Sequence, residues 1–314
     1  MLTQPIAARL ADKQRILLAG CGGGYDVFGA IPLYVELRAA GKEVHLANLS
    51  FTYLNGLDGA VRSEVLPNLY EVPASAAVLD EYCPEAWLAR WIEVEERLGH
   101  EGRVWAFDKT GVRPLRAAYQ HLVERLGLDA VVLIDGGIDA LLRGDEISLG
   151  TPAEDVTSIA ALHGVVGPDK LLACVGLGVE MRDGIAHVQV FERIAQLTRE
   201  GGYLGASALV PGTRAADLYA DAVAYAFAHQ EGQRQSHVHR CVRESMLGAC
   251  RSEGPHVWLS PLQSLYWFFS LDAVARTHLL LPHIEDTQTI WDVTVIIEAL
   301  RQGMTVREGG PMPI

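Results

Sequence analysis

Three observations in the 314-residue sequence predict an α/β fold: a mostly parallel, doubly wound sheet followed by a mostly helical C-terminal part. Short apolar runs with strand character alternate with stretches of helical periodicity up to about residue 210. The first of those runs opens directly into a glycine-rich loop. Hydrophobic residues make up 49% of the chain, enough to cover both faces of a large sheet and too many for a disordered polymer. The expected organisation is a single domain over residues 1–314, with an α/β core over 12–210 and helices over 211–314.

Arg15–Gly20 (RILLAG) reads as the first strand, bounded by Cys21-Gly22-Gly23-Gly24-Tyr25-Asp26. Val27–Ala40 has helical spacing and Glu43–Leu49 (EVHLANL) is a second strand, so the chain opens as a βαβ unit of Rossmann-like kind. Pro32 has no backbone donor and is comfortable only in a first turn, which moves the helix start to near Ala30. The loop Gly20–Gly29 is then longer than a dinucleotide turn. A helix is expected over Pro84–Leu98, where Trp87 and Trp91 have the spacing of a sheet-packing face. Arg103–Phe107 is a third strand, Val112–Leu126 a helix and Asp129–Ile134 a fourth strand. Thr151-Pro152-Ala153-Glu154 has the form of a helix start, with Thr as cap, Pro first and Glu closing a capping box, for a helix to about Leu162. Lys170–Gly176 is a strand, Val190, Phe191, Ile194 and Leu197 share a helical face, and Tyr203–Val210 is a further strand. Beyond Thr213 helices are expected over Ala215–Ala228 and His237–Ala249. A last one follows a Ser260-Pro261 cap, with Tyr266, Trp267, Phe268 and Phe269 around it.

Lys and Arg number 26 against 39 Asp and Glu, a formal net charge of -13 that repels nucleic acid. Five cysteines (Cys21, Cys83, Cys174, Cys241, Cys250), odd in number and without C-x-x-C spacing, argue for reduced thiols in the cytoplasm and against a disulfide or zinc framework. The start, MLTQPIAARLADKQR, has no signal-type apolar core, and the longest apolar stretch, Leu262–Leu281, is broken by Asp272 and Arg276. The expected partner is a small-molecule ligand, with a homo-oligomer left open and neither nucleic acid nor membrane involved.

Ligands of parallel α/β sheets bind outside the carboxyl ends of the strands. Here those ends carry Gly20–Gly29, Asn48–Thr52, Asp108–Thr110, Asp135–Thr151, Gly176–Glu180 and Ala206–Ser207, which should share one rim. The densest stretch holds Asp135-Gly136-Gly137, then Asp139, Asp145, Glu146, Glu154 and Asp155. Carboxylates this crowded repel one another unless solvent, a cation or hydrogen-bond donors offset them. Asp135 and Asp139 are the expected catalytic and metal-binding pair, holding a divalent cation such as magnesium or calcium, with Asp26 and Glu180 as further acids. The same pair can instead bind a hydroxyl or an amine, act as a general base, or do no more than satisfy turn amides. Glu154 reads as a cap rather than a ligand. Gly22, Gly23 and Gly24 offer backbone amides to an anion, and the helix start at Thr151 offers more. Amide donors near Cys21 would lower its pKa, but no partner histidine follows from spacing, so a small buried thiol is the stronger expectation. His237 and His239 diverge on a helix and do not form a metal pair, and His45, His163 and His283 read as surface or core residues.

Gly20-x-Gly22-x-Gly24 after a strand resembles the first motif of S-adenosylmethionine-dependent methyltransferases, with two departures. Leu18 and Asn48 stand where that motif has acids, and Tyr25 stands where a dinucleotide fingerprint has its third glycine. The ordered set GCGGGYDVFGAIPL, LIDGGIDALLRGDE with GTPAED, and GLGVE followed by GGYLGASAL resembles the domain-of-unknown-function family numbered 1152 over residues 15–300. That resemblance implies no particular activity. The D-G-G pattern is also similar to D-glutamate cyclase-type proteins and, less closely, to nucleoside hydrolases, which carry their Asp string at the first strand. The expected function is a small-molecule enzyme, a metal-assisted hydrolase or lyase acting on a polar metabolite with an anionic end between the glycine and acid loops. A sensor of a nucleotide-like ligand without turnover and a methyltransferase are the competing classes.

Overall fold

The computed structural model describes residues 5–77, 82–95, 101–230, 235–251 and 259–310. The chain begins α1 (Pro5–Leu10), β1 (Arg15–Gly20), α2 (Ile31–Ala39), β2 (Glu43–Leu49), β3 (Val61–Arg62) and β4 (Leu69–Pro73). It continues α3 (Pro84–Glu95), β5 (Arg103–Phe107), α4 (Val112–Leu126), β6 (Ala130–Asp135), α5 (Pro152–His163) and β7 (Asp169–Val175). Then come α6 (His187–Arg199), β8 (Tyr203–Ala208), α7 (Arg214–His229), α8 (His237–Met246), β9 (Leu265–Ser270), α9 (Leu271–Arg276), α10 (Leu281–Ile284) and α11 (Ile290–Gly303).

The strands form one sheet in the order β3-β4-β5-β2-β1-β6-β7-β9-β8. Its centre, β5-β2-β1-β6-β7, is parallel, and antiparallel pairs close both edges. Central strands bury both faces, so they are apolar throughout instead of alternating with polar residues. Ile16 and Leu18 of β1, with Val132 and Ile134 of β6, pack under α2, α3 and α7. Leu17, Ala19, Val131 and Leu133 point the other way, under α4, α5 and α6. Trp87 and Trp91 are buried in the first of these layers, as their spacing predicts. Pro32 sits in the first turn of α2, preceded by a 3-10 turn over Asp26–Ala30. Among the described residues no helix is long and apolar enough to cross a membrane.

Two expectations are corrected. The aromatic run Tyr266–Phe269 is not helical: it lies in β9, which inserts between β7 and β8. An antiparallel neighbour on each side satisfies its backbone, and Phe268 and Phe269 bury into opposite layers. Ala206 and Ser207 pair within β8 against Trp267 and Tyr266, so they lie inside the ladder rather than in a rim loop. The helix expected to Leu98 is described to Glu95, and residues 96–98 lie outside the described residues.

Candidate functional site

β1 lies between β2 and β6, and the chain leaves these neighbouring strands toward opposite faces, from β1 into α2 and from β6 into α5. Loops that diverge from adjacent strand ends leave a crevice between them. The glycine loop and the acid loop line it, and the cleft has a volume of about 900 Å3. Gly22, Gly23, Gly24, Asp26, Asp135, Asp139, Thr151 and Glu180 all border it. The loops after β2 and β5 add Phe51 and Lys109.

Missing side chains make room for the acids. A Cβ on Gly22 would lie 2.6 Å from Oδ1 of Asp155, and one on Gly136 would lie 2.6 Å from Oδ1 of Asp26. Gly23 and Gly24, with φ of 94° and 59°, turn the loop in the left-handed region that side chains disfavour. Buried Asn48 at the end of β2 fixes that turn, donating from Nδ2 to Gly24 O at 2.8 Å and to Glu85 Oε1 at 2.7 Å. From the other layer, the Ser158 hydroxyl of α5 donates to Cys21 O at 2.6 Å.

Asp26 opens the 3-10 turn, Asp135 ends β6 and Asp155 sits in the first turn of α5. One carboxylate oxygen from each lies within 4.8 Å of the others. Asp135 and Asp155 are only 2% and 3% exposed. Oδ2 of Asp135 and Oδ1 of Asp155 have no hydrogen-bond partner among the described residues. Burial, reinforced by the charge of Asp139, pushes the pKa of Asp26 up to about 7 against the pull of the Gly22 amide. Burial and the neighbouring carboxylates drive Asp135 and Asp155 well above the usual carboxylate range.

Asp139 belongs to a different, better satisfied arrangement. Its Oδ2 accepts from Thr151 N at 3.1 Å, while Oε2 of Glu180 accepts from Ile138 N at 2.9 Å. The two carboxyls also hydrogen-bond each other. Burial, then the charge of Asp139, raises Glu180 strongly, and a hydrogen bond between two carboxyls requires one proton between them. Both aspartates take the Ala140 amide, but Asp139 adds the Thr151 amide and Glu180, whereas Oδ2 of Asp135 keeps no partner among the described residues.

Other expectations change. Thr151 makes no side-chain cap, and Glu154 closes no capping box; it pairs instead with Lys109 at 2.7 Å. The Lys109 ammonium also sits over the Phe51 ring, 4.4 Å from its centroid. The Gly22 amide donates to Asp26 Oδ2 at 2.6 Å, so both it and the Thr151 amide are engaged by the chain's own carboxylates. Cys21 is buried, and burial and nearby Asp155 raise its pKa well above the ordinary thiol value, opposite to the expected lowering. His237 and His239 do diverge. His237 borders the cleft, whereas His239 is buried, with Nδ1 facing the Tyr219 hydroxyl at 2.7 Å and Nε2 facing Tyr25 O at 2.8 Å. Burial lowers its pKa to about 4, and because a carbonyl only accepts, Nε2 carries the proton.

Lys109 and Arg240 border the cleft without a role assigned to them from sequence, as does Asp155 of the acidic run; His237, weighed only as half of a metal pair, borders it too. Asp155 carried a signal, its place in the acidic run; the α8 residues carried none, since only the fold brings them beside Asp26. Asp145 and Glu146, from the same run, face arginines instead. Arg307 lies 3.0 Å from each of them, and Arg143 lies 3.1 Å from Asp145. Arg301 donates to Gly144 O and Glu146 O at 3.0 and 2.7 Å, and buried Arg193 donates to Leu141 O at 2.9 Å. Arginines from the C-terminal half therefore hold the acid loop in shape.

No curated protein and no solved structure matches the chain. The family model described as a protein of unknown function (DUF1152) matches residues 17–305, and with nearly the whole sequence covered the chain belongs to that family.

Proposed function

We propose that this protein is a divalent-cation-dependent enzyme of hydrolase or lyase type, acting on a small polar metabolite with an anionic end. One observation carries the reading: Asp26, Asp135 and Asp155 converge within 4.8 Å, and two of them keep buried, unpartnered oxygens. Ionised carboxylates so placed repel one another strongly, and a hard dication relieves that repulsion while filling the open oxygens. An all-oxygen donor set without His or Cys suits magnesium or calcium better than zinc. When bound, such a cation supplies Lewis acidity toward a substrate oxygen. The chain's own groups do the rest. The Asp139–Glu180 pair, which needs one proton between its carboxyls, holds that proton at the cleft wall for a leaving group. The Lys109–Glu154 pair and Phe51 border the cleft at the ends of β5 and β2. None of the five cysteines is in a disulfide, which suits a reducing, cytoplasmic setting.

Calorimetric titration of chelator-treated protein with magnesium, manganese or calcium ions tests the reading. Binding is expected, and Asp135→Asn and Asp155→Asn should each abolish it while leaving the melting temperature nearly unchanged. No heat with any of the three ions overturns the proposal. A metabolite panel then separates enzyme from sensor, since binding without product favours the sensor.

A further inference from the structure

Resting on that cation reading, we propose that the anionic end of the ligand is a phosphate group, seated between the carboxylate triad and the first turn of α8. Gln235, Ser236, His237, Val238 and Arg240 border the cleft, so α8 begins at its edge. The start of the helix is well formed, with the Ser236 hydroxyl accepting from His239 N at 3.2 Å. His239 ties the helix to the glycine loop by donating from Nε2 to Tyr25 O, one residue before Asp26. α8 has 10 residues, and first-turn amides of a helix have no intrahelical acceptor.

The cations of the cleft are not equivalent. Lys109 is occupied by Glu154 and by the Phe51 ring. Arg240 is exposed, and among the described residues its guanidinium meets only the His237 Nδ1, at 3.0 Å from Nη2. The remaining donors of its planar fork are available to an oxyanion. The same cleft is bordered by Asp135 and Asp155, whose Oδ2 and Oδ1 are buried and unpartnered among the described residues.

Charge and geometry together select the ligand. Three ionised carboxylates and one dication leave a net negative charge, so an anion needs a second positive wall, and Arg240 with the α8 amides supplies it. A phosphate monoester has three non-ester oxygens, one each for the cation, the guanidinium fork and the helix amides. A carboxylate has two and leaves one of these donor sets unmet. The overall charge of -13 makes binding conditional, because without the cation the triad repels the phosphate.

Calorimetry on the full chain, with magnesium alone, inorganic phosphate alone and both together, tests this. Phosphate is expected to bind only when magnesium is present. Arg240→Ala should weaken phosphate about tenfold or more while changing magnesium affinity less than about twofold. Arg240→Lys, which keeps the charge and loses the fork, should fall between. Magnesium binding accompanied by equal phosphate affinity in Arg240→Ala overturns the phosphate assignment and leaves the cation reading intact. So does phosphate binding that ignores magnesium, or acetate that competes as well as phosphate. An absence of magnesium binding overturns the cation reading itself, and this assignment with it.

Discussion

The two acidic groups that meet in and around the acid loop differ in what faces them. Asp145 and Glu146 are as buried as Asp135 and Asp155, yet Arg143 and Arg307 stand against them, and the Glu146 oxygens also accept from the amides of Arg143 and Gly144. Asp26, Asp135 and Asp155 face one another, with Asp139 and Glu180 close by, and other carboxylates are the leading charges acting on them. A buried acid with a matching guanidinium is a structural joint. Buried acids whose neighbours are other acids oppose folding, and a chain that keeps them there points to a ligand.

The largest test removes an arginine from the first group. Arg307→Ala leaves Glu146 buried without its counter-charge and should lower stability by about 2–3 kcal/mol, read as a fall in the urea midpoint. Asp155→Asn, measured in chelator, should lose nothing and can gain, because one repelling charge is gone. Equal losses from both substitutions would erase the distinction between the two groups.

A pH series sharpens it. Asp26, Asp135 and Asp155 have pKa values raised by folding, so between the ordinary carboxylate range and neutrality the folded state binds more protons than the unfolded one. Their contribution is favourable at low pH and is lost as pH rises through the folded values, about 7 for Asp26. In chelator, stability should therefore fall with rising pH by up to about 1.4 kcal/mol per unit for each extra proton held. Magnesium should flatten that slope. An unchanged slope with magnesium present would separate these acids from any cation.

Gly22→Ala separates folding from binding. Its Cβ would meet Asp155 Oδ1 at 2.6 Å, but the backbone there is not in the left-handed region. Stability should change by about 1 kcal/mol or less, while cation binding weakens severely because the carboxylate must move. Unaltered binding would mean that Asp155 stands aside from the site.

Most of the fold is legible in the letters because buried parallel strands are short apolar runs and their helices carry clear periodicity. β1, β2 and β5 are readable residue for residue, and α5 to within one residue of its end. β9 is not, since a six-residue aromatic run has no period of its own and follows what looks like a helix cap. The rim loops after β1, β2, β5, β6 and β7 could be placed together because strand ends in such a sheet face one way. The roles within the rim were harder. Asp135 and Asp139 look alike in sequence, and only the Thr151 amide and Glu180 separate them. Asp155 looks like an ordinary acid of a helical first turn, and Arg240 stands far along the chain from the loop it joins.

The place of β9 bears on how this polypeptide is made. β8 ends at Ala208, but among the described residues its one partner in the sheet begins at Leu265. A ribosome that has finished the first eight strands has therefore delivered an unfinished sheet, with the flank of β7 bare and β8 lacking a neighbour. Backbone edges left open in this way recruit other nascent chains. The aromatic segment Leu265–Ser270 thus acts as a late-arriving keystone, and a chain cut short ahead of it should expose the β7 and β8 edges and aggregate rather than fold.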